Sequence, residues 1–245
     1  MPTSNLDREA PDLSKSPARI AGMFDAIAAK YDLLNHLLSV GIDRRWRRRA
    51  VRSLALTGRE RVIDLCTGTA DLAVAASQAG ARRVVGIDFA GGMLRLALEK
   101  VRRRRLEESV RLVRGDATHI PLANSCADAL TVAFGIRNVA DTAAACREIH
   151  RVLMPGGKLA VLEFAVPTTP IVRYAYLWYF NRVLPRIGRL VSRHNAAYAY
   201  LPASVRAFAT PDEFAAVLRQ TGFAEVAANR LTLGIVYLFT ARKGA

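Results

Sequence analysis

The residues best placed for chemistry lie in Val62-Ile63-Asp64-Leu65-Cys66-Thr67-Gly68-Thr69-Ala70-Asp71, an apolar strand that turns through small residues into the helical pattern of Leu72 to Ala79. A strand that passes through a tight turn to a helix N-terminus makes a nucleotide cradle. A second strand, Arg83 to Ile87, ends on Asp88, where one carboxylate can accept hydrogen bonds from both hydroxyls of a ribose. Asp64, Gly68, Thr69 and Asp88 are therefore candidate contacts for an adenosyl ligand. Cys66 and Ala70 stand where the dinucleotide fingerprint needs glycines, so a pyrophosphate is disfavoured, and no G-K-[ST] follows to make a P-loop.

The pattern Asp64-x-Cys66-x-Gly68-x-Ala70 is similar to the acidic, small-residue motif of S-adenosylmethionine-dependent methyltransferases, whose ligand carries a sulfonium and an amino acid but no phosphate. The elements that must position it follow from Arg61 onward. Short apolar strands are expected at 61–65, 83–87, 110–114, 127–134 and 158–164, alternating with helices at about 70–79, 91–104 and 142–153, which argues for βαβ units and a parallel sheet. Asp141 is expected to cap the last of these helices and Pro155-Gly156-Gly157 to stop it. Thr210 and Gly222 bound a further helix, and Glu225 to Leu231 with Ile235 to Arg242 should finish the sheet as a hairpin.

Before the sheet, Ser16-Pro17 reads as a helix start, with Ile20, Met23, Phe24, Ile27 and Tyr31 at helical spacing. Gly41 breaks the next apolar stretch, and Asp43 is expected to cap a basic helix to about Leu56. Residues 17–58 would form a helical lid over the cofactor site, behind a disordered tail at 1–16. Residues 17–245 would make a single domain, with 168–205 an insertion covering the substrate. Tyr174 to Phe180 in that insertion are aromatic and flanked by Arg173, Arg182, Arg186 and Arg189.

The chain of 245 residues is long enough to bury a core without staples. Its three cysteines, Cys66, Cys126 and Cys146, support neither a disulfide framework nor a zinc site and fit a reducing compartment. No signal peptide or spanning apolar run is visible, so a cytoplasmic protein is expected. The formal charge of +15 is concentrated in Arg44 to Arg49 and Arg102 to Arg105. Solvated helix faces, anionic lipid and nucleic acid all remain open as readings of that excess.

Met23-Phe24-Asp25-x-Ile27-Ala28-x-x-Tyr31-Asp32-x-x-Asn35, Gly41-Ile42-Asp43-x-x-Trp46, the cradle at 64–71 and Phe134-Gly135-Ile136-Arg137-Asn138-Val139 together resemble the menaquinone/ubiquinone biosynthesis C-methyltransferases, from about residue 18 to the C-terminus. The resemblance implies a class I α/β methyltransferase fold, a mostly parallel seven-stranded sheet with an antiparallel last strand. It further implies S-adenosyl-L-methionine as cofactor, held at Thr69, Asp88, Asp116 and Ala117. Asp116 and Ala117 follow strand three, where an oxygen and a backbone N–H can meet the adenine. Family members often carry Asn at the position of Asp116 and Ser at that of Ala133.

The implied reaction is methylation of a prenylated quinol, a demethylmenaquinol or a ubiquinone-precursor benzoquinol. A ring hydroxyl must lose its proton so that the ortho carbon can attack the sulfonium methyl, and a phenol has a pKa of about 10. Arg137, permanently charged, is the candidate donor to the developing oxyanion, Asn138 the candidate orienter of the ring oxygen or a water, and Tyr31 the candidate ring contact. His194 is a candidate base. His36, His119 and His150 lack neighbouring ligands, so no metal is indicated. Expected partners are the quinol and an anionic membrane surface at the cytoplasmic face. Nucleic acid is disfavoured because Gly135-Ile136-Arg137-Asn138 stands where exocyclic-nitrogen methyltransferases place Asn/Asp-Pro-Pro-aromatic. Another small-molecule substrate or a non-catalytic membrane-associated scaffold are the competing readings, and the oligomeric state, a homo-oligomer included, is open.

Overall fold

The computed structural model describes residues 15–39, 41–183 and 195–244, with backbone alone at 17, 29–38, 180, 181 and 195–199. Seven strands form one sheet in the order β3-β2-β1-β4-β5-β7-β6. They are β1 (Arg61–Leu65), β2 (Arg83–Asp88), β3 (Val110–Arg114), β4 (Ala127–Ala133), β5 (Leu153–Phe164), β6 (Phe223–Leu231) and β7 (Val236–Lys243). The first five run parallel, and β7 lies antiparallel between β5 and β6. This is the class I methyltransferase architecture. Chain order reverses between β1 and β4, the switch point where open α/β sheets bind ligands.

The α-helices of the described chain are α1 (Pro17–Leu38), α2 (Asp43–Ser53), α3 (Asp71–Gln78), α4 (Gly91–Arg103), α5 (Thr142–Val152), α6 (Pro170–Trp178), α7 (Asn195–Ala207) and α8 (Pro211–Gln220). A parallel sheet must be apolar on both faces, and the buried residues divide accordingly. Val62 and Val84 pack with Trp46, Leu72, Ala76 and Ala97 under α2, α3 and α4. Ile63 and Leu65 pack with Ile149, Phe214 and Leu218 under α5 and α8. α1 lies outside these layers, with Ala21 and Phe24 against Ala90 and Met93 of α4.

The helix signals at Asp141 and Thr210 hold: Asp141 Oδ1 accepts from Ala144 N at 2.8 Å, and Thr210 and Glu213 form a reciprocal capping box. Two local expectations are corrected. Asp43 is not a cap; it is the first residue of α2, buried, and its carboxylate accepts from Ser39 Oγ at 2.8 Å and from Arg47. Pro155-Gly156-Gly157 does not separate helix from strand. The chain pairs already at Leu153 with Ala127, bulges out over Met154 to Gly157, and resumes at Lys158 opposite Ala129. A bulge is where a sheet tolerates Pro and a left-handed Gly, and Gly156 has φ +75°.

Candidate cofactor and substrate site

The turn after β1 has the backbone of a glycine-rich loop, with glycine at only one of its three left-handed positions. Cys66, Gly68 and Ala70 have φ of +54°, +55° and +67°. For the two non-glycine residues the left-handed region costs about 1–2 kcal/mol each, and such strain gathers at functional sites. Thr67 N donating to Ile87 O at 3.0 Å and Ala70 N donating to Thr67 O at 2.9 Å hold the turn against β2. Across from it, Phe134 also has a positive φ, +59°, and Gly135 presses on Cys66 so closely that a Cβ on Gly135 would sit 2.3 Å from Cys66 Cβ. Only glycine lets the loops after β1 and β4 approach in this way.

Above these loops lies a cavity of about 350 Å³ at the carboxyl ends of β1 to β4. Gly68, Asp88, Asp116, Ala117 and Asn138 all line it, so the structure gathers five residues that the sequence scatters over 71 positions. From α1, Ile20, Ala21 and Phe24 complete the wall, whereas no residue of α2 does. Asp25 Oδ1 accepts from Gly92 N at 2.8 Å, capping α4, which has no cap of its own, and so fixing α1 over the cavity.

Asp88 is oriented before any ligand arrives. Its Oδ2 accepts from Gly68 N at 2.7 Å and its Oδ1 from Ala90 N at 2.9 Å. Each carboxylate oxygen keeps a further acceptor site, which fits a pair of ribose hydroxyls. Burial raises the Asp88 pKa, and the backbone N–H bonds pull it back down. Asp116 Oδ1 accepts from Thr118 N at 2.8 Å and Thr118 Oγ1 at 2.9 Å, fixing the acid in the cavity lining after β3. The acid after β2, the acid after β3 and the narrow turn after β1 thus fit an adenosyl group bearing no phosphate.

Two residues expected among the cofactor contacts lie outside the lining. Asp64 is buried below the turn, where Oδ2 accepts from Thr67 Oγ1 at 2.5 Å and Oδ1 from Thr131 Oγ1 at 2.8 Å. Burial pushes its pKa up to about 6. Strand alternation sets Asp64 opposite Leu65, which lines the cavity, and turns Asp64 to the backbone of Ala73 in α3, whereas Cys66 reaches the cavity from the left-handed turn beyond the strand. Thr69 is likewise buried, its Oγ1 accepting from Lys100 Nζ at 3.0 Å. Both shape the turn from behind.

Arg137 also departs from expectation. Its guanidinium does not line the cavity; Nη1 donates to Glu163 Oε1 at 2.7 Å and to Phe134 O at 2.5 Å, and Nε donates to Ser204 Oγ at 3.3 Å. Asn138 does line it, on a one-turn 3₁₀ helix (Ile136–Asn138), and its Oδ1 accepts from Tyr200 OH at 3.1 Å, which leaves the amide N–H₂ as the donor. Sequence reasoning missed Lys15, which lines the cavity beside the N-terminus of α1, and Glu163 and Tyr200, which only the fold brings to Arg137 and Asn138. Burial, then the charge of Arg137, lowers the Lys15 pKa. The Tyr31 side chain and His194 lie outside the described residues.

Residues 13–243 match the model of the ubiE/COQ5 methyltransferase family. A ubiquinone/menaquinone biosynthesis C-methyltransferase of Syntrophotalea carbinolica is 48% identical over 219 residues, 89% of this chain and 91% of that protein. A demethylmenaquinone methyltransferase of Bacteroides fragilis is 39% identical, covering 94% of each. Among solved structures, the [4+2]-cyclase SpnF has a TM-score of 0.69 at 17% identity over 94% of this chain and 97% of its own, a likeness of fold alone. The chain belongs to the ubiE/COQ5 methyltransferase family and is an S-adenosylmethionine-dependent C-methyltransferase.

Proposed function

We propose that the protein methylates a ring carbon of a prenylated quinol, demethylmenaquinol to menaquinol, with a ubiquinone-precursor benzoquinol as a second acceptor. The observation that carries this reading is Asn138, held by Tyr200 with its amide facing the same cavity that Asp88 and Asp116 line. S-adenosylmethionine supplies an electrophilic methyl group. Gly68, Asp88, Asp116 and Ala117 hold its adenosyl part, while Asp64 and Thr69 keep the turn in shape from below.

The acceptor ring then lies toward Asn138 and Lys15. A quinol hydroxyl gives up its proton, charge moves to the ortho carbon, the carbon–methyl bond forms as the methyl–sulfur bond breaks to leave the neutral thioether S-adenosylhomocysteine, and the ring C–H proton is lost while the ring oxygen regains one, which restores the aromatic quinol with a net release of one proton. Asn138 donates to the ring oxygen. Lys15, whose ammonium is disfavoured by burial and by Arg137, takes the hydroxyl proton or stabilises the phenolate. Arg137 acts as a positioning residue, fixing the loop that carries Asn138 to Glu163. Tyr31 on α1 is assigned as a ring contact.

Residues 17–245 are assigned to one methyltransferase domain, in which α1 is the part of the expected 17–58 lid that lines the cavity; of the segment 168–205 expected to cover the substrate, Tyr200 meets Asn138, and residues 184–194 lie outside the described residues. A prenyl tail must be met at a bilayer, and no helix among the described residues is long and apolar enough to cross one. Reversible attachment at the cytoplasmic face through α6 fits the need, because Ile171, Tyr174 and Trp178 are 83%, 76% and 55% exposed while Tyr176 packs inward. Phe180, Arg186 and Arg189, expected in the same wedge, lie outside the described side chains. Incubation with labelled S-adenosylmethionine and each reduced quinol, tail-less or prenylated, tests the function. Label should enter the naphthoquinol, and transfer to neither quinol overturns the reading.

A further inference from the structure

On the face of the sheet that carries α2, the helix packs over β4, β5 and β7, and the outer part of β7 and the edge strand β6 stand open beside it among the described residues. The result is a groove of about 1140 Å³, with Asn229, Leu231, Leu238 and Thr240 in its floor. Its wall is Arg45, Arg48, Arg49 and Arg52, the i, i+3, i+4 and i+7 positions of one helical stripe, and all four are exposed. Lys158 and Arg242 close the far end.

This charge is not balanced from within. Glu225 is the acid in the lining, and it stands 3.9 Å from Arg242. Among the described residues none of the four arginines makes an ion pair; Arg48 Nε reaches only Arg44 O, at 3.3 Å. Like charges at i, i+4 destabilise a helix, so the stripe works against the fold and favours an anionic occupant.

The surroundings identify the occupant. At the near end, Thr232 Oγ1 accepts from Trp46 Nε1 at 2.8 Å, and the next residue, Leu233, is 63% exposed with φ +58°. Arg230 Nη2 donates both to Leu233 O at 2.7 Å and to Thr169 Oγ1 at 3.0 Å, tying that leucine to the start of α6. The cationic stripe therefore runs into the exposed Leu233, Ile171 and Tyr174 as one surface. A nucleic-acid duplex pairs its phosphates with cations and gains nothing from exposed leucine and isoleucine, whereas a bilayer takes exposed apolar side chains beside cations.

We propose that the groove between α2 and the β6–β7 edge docks the anionic headgroups of a lipid bilayer, with Leu233 and α6 entering the adjoining apolar layer. The proposal rests on the reading of a membrane-borne quinol. Its test is co-sedimentation of the full chain with vesicles of phosphatidylcholine alone or mixed with phosphatidylglycerol, for wild type and for the triple variant Arg45→Gln, Arg48→Gln, Arg49→Gln. Wild type should bind the anionic vesicles and release them with salt. The triple variant should bind about 100-fold more weakly while methylating a tail-less quinol at the wild-type rate. Equal binding by wild type and variant, or by wild type to neutral and anionic vesicles, overturns the proposal. So does a variant that loses affinity for a DNA duplex and keeps it for anionic vesicles. Salt-sensitive vesicle binding that the triple variant loses, with no turnover of any quinol, supports the groove and contradicts the substrate reading instead.

Discussion

Arg137 and Glu163 form an ion pair of 2.7 Å in which both side chains are buried, 6% and 1% exposed. The backbone N of Arg137 also donates to Glu163 Oε2 at 3.3 Å, and Phe164 N donates to Oε1 at 2.9 Å. One carboxylate at the end of β5 thereby fixes the loop after β4. The guanidinium that the sequence offers as an oxyanion donor is committed to Glu163, Phe134 O and Ser204 outside the cavity lining, and in the function proposed above it acts on the substrate through the next residue, Asn138.

Breaking a buried pair by removing one partner costs about 3–5 kcal/mol, because the other charge is left uncompensated. Glu163→Gln should therefore lower stability in urea denaturation by that order and lower kcat together with it. Replacing both residues by Met should cost less stability than Glu163→Gln alone. An Arg137→Lys variant of wild-type stability but with turnover lowered 100-fold would return the guanidinium to the oxyanion.

Asp88→Ala should weaken S-adenosylmethionine binding about 100-fold or more in calorimetry, since two hydrogen bonds to the ribose are lost at about 1–3 kcal/mol each. Gly68 N and Ala90 N also lose their acceptor. Unchanged affinity in a folded variant places the ribose elsewhere.

Gly135→Ala should disrupt the site, because the new Cβ would stand 2.3 Å from Cys66 Cβ. Cys66→Gly removes that atom and relieves a left-handed residue at φ +54°. The double variant should recover stability and turnover that Gly135→Ala loses. Failure of the rescue, measured by thermal unfolding and methyl transfer, removes the Cys66–Gly135 contact as the cause.

Asp64 sets a pH dependence. Its folded-state pKa of about 6 lies above the ordinary 3.8, so between these values the folded protein binds more protons than the unfolded chain. The stability associated with this group is present below the ordinary pKa and is lost as pH rises through about 6. Asp64→Asn should flatten that part of the stability profile; an unchanged slope contradicts the assignment.

Lys15→Met should leave cofactor affinity near wild type and lower kcat by about 10²-fold or more. A base whose pKa is lowered gives a rate that rises with pH through that pKa, and the variant should lose this limb. A profile of wild-type shape assigns the proton to another group.

The strands were legible because short segments rich in Val, Ile and Leu end at turns: the expected 61–65 and 110–114 coincide with β1 and β3. The cradle, Asp88, Asp116 and Asn138 were legible for the same reason, since motif residues at strand ends must face the switch point. Which side of a strand or turn a residue serves was less so. Asp64 and Thr69 sit in the motif yet turn away from the cavity, and Arg137 sits in the most specific motif yet meets Glu163, 26 positions later. Lys15 carried no local signal at all; its place in the lining depends on the docking of α1 by Asp25, a contact between residues 67 positions apart.

The position of the transferred methyl group distinguishes ring C-methylation from every other transfer. S-adenosylmethionine labelled on the methyl carbon, incubated with the enzyme and a reduced demethylnaphthoquinol, should yield a product whose label NMR places on a ring carbon ortho to a hydroxyl. Label on a ring oxygen, or none in any quinol under conditions where the cofactor binds, contradicts a C-methyltransferase acting on the quinol ring.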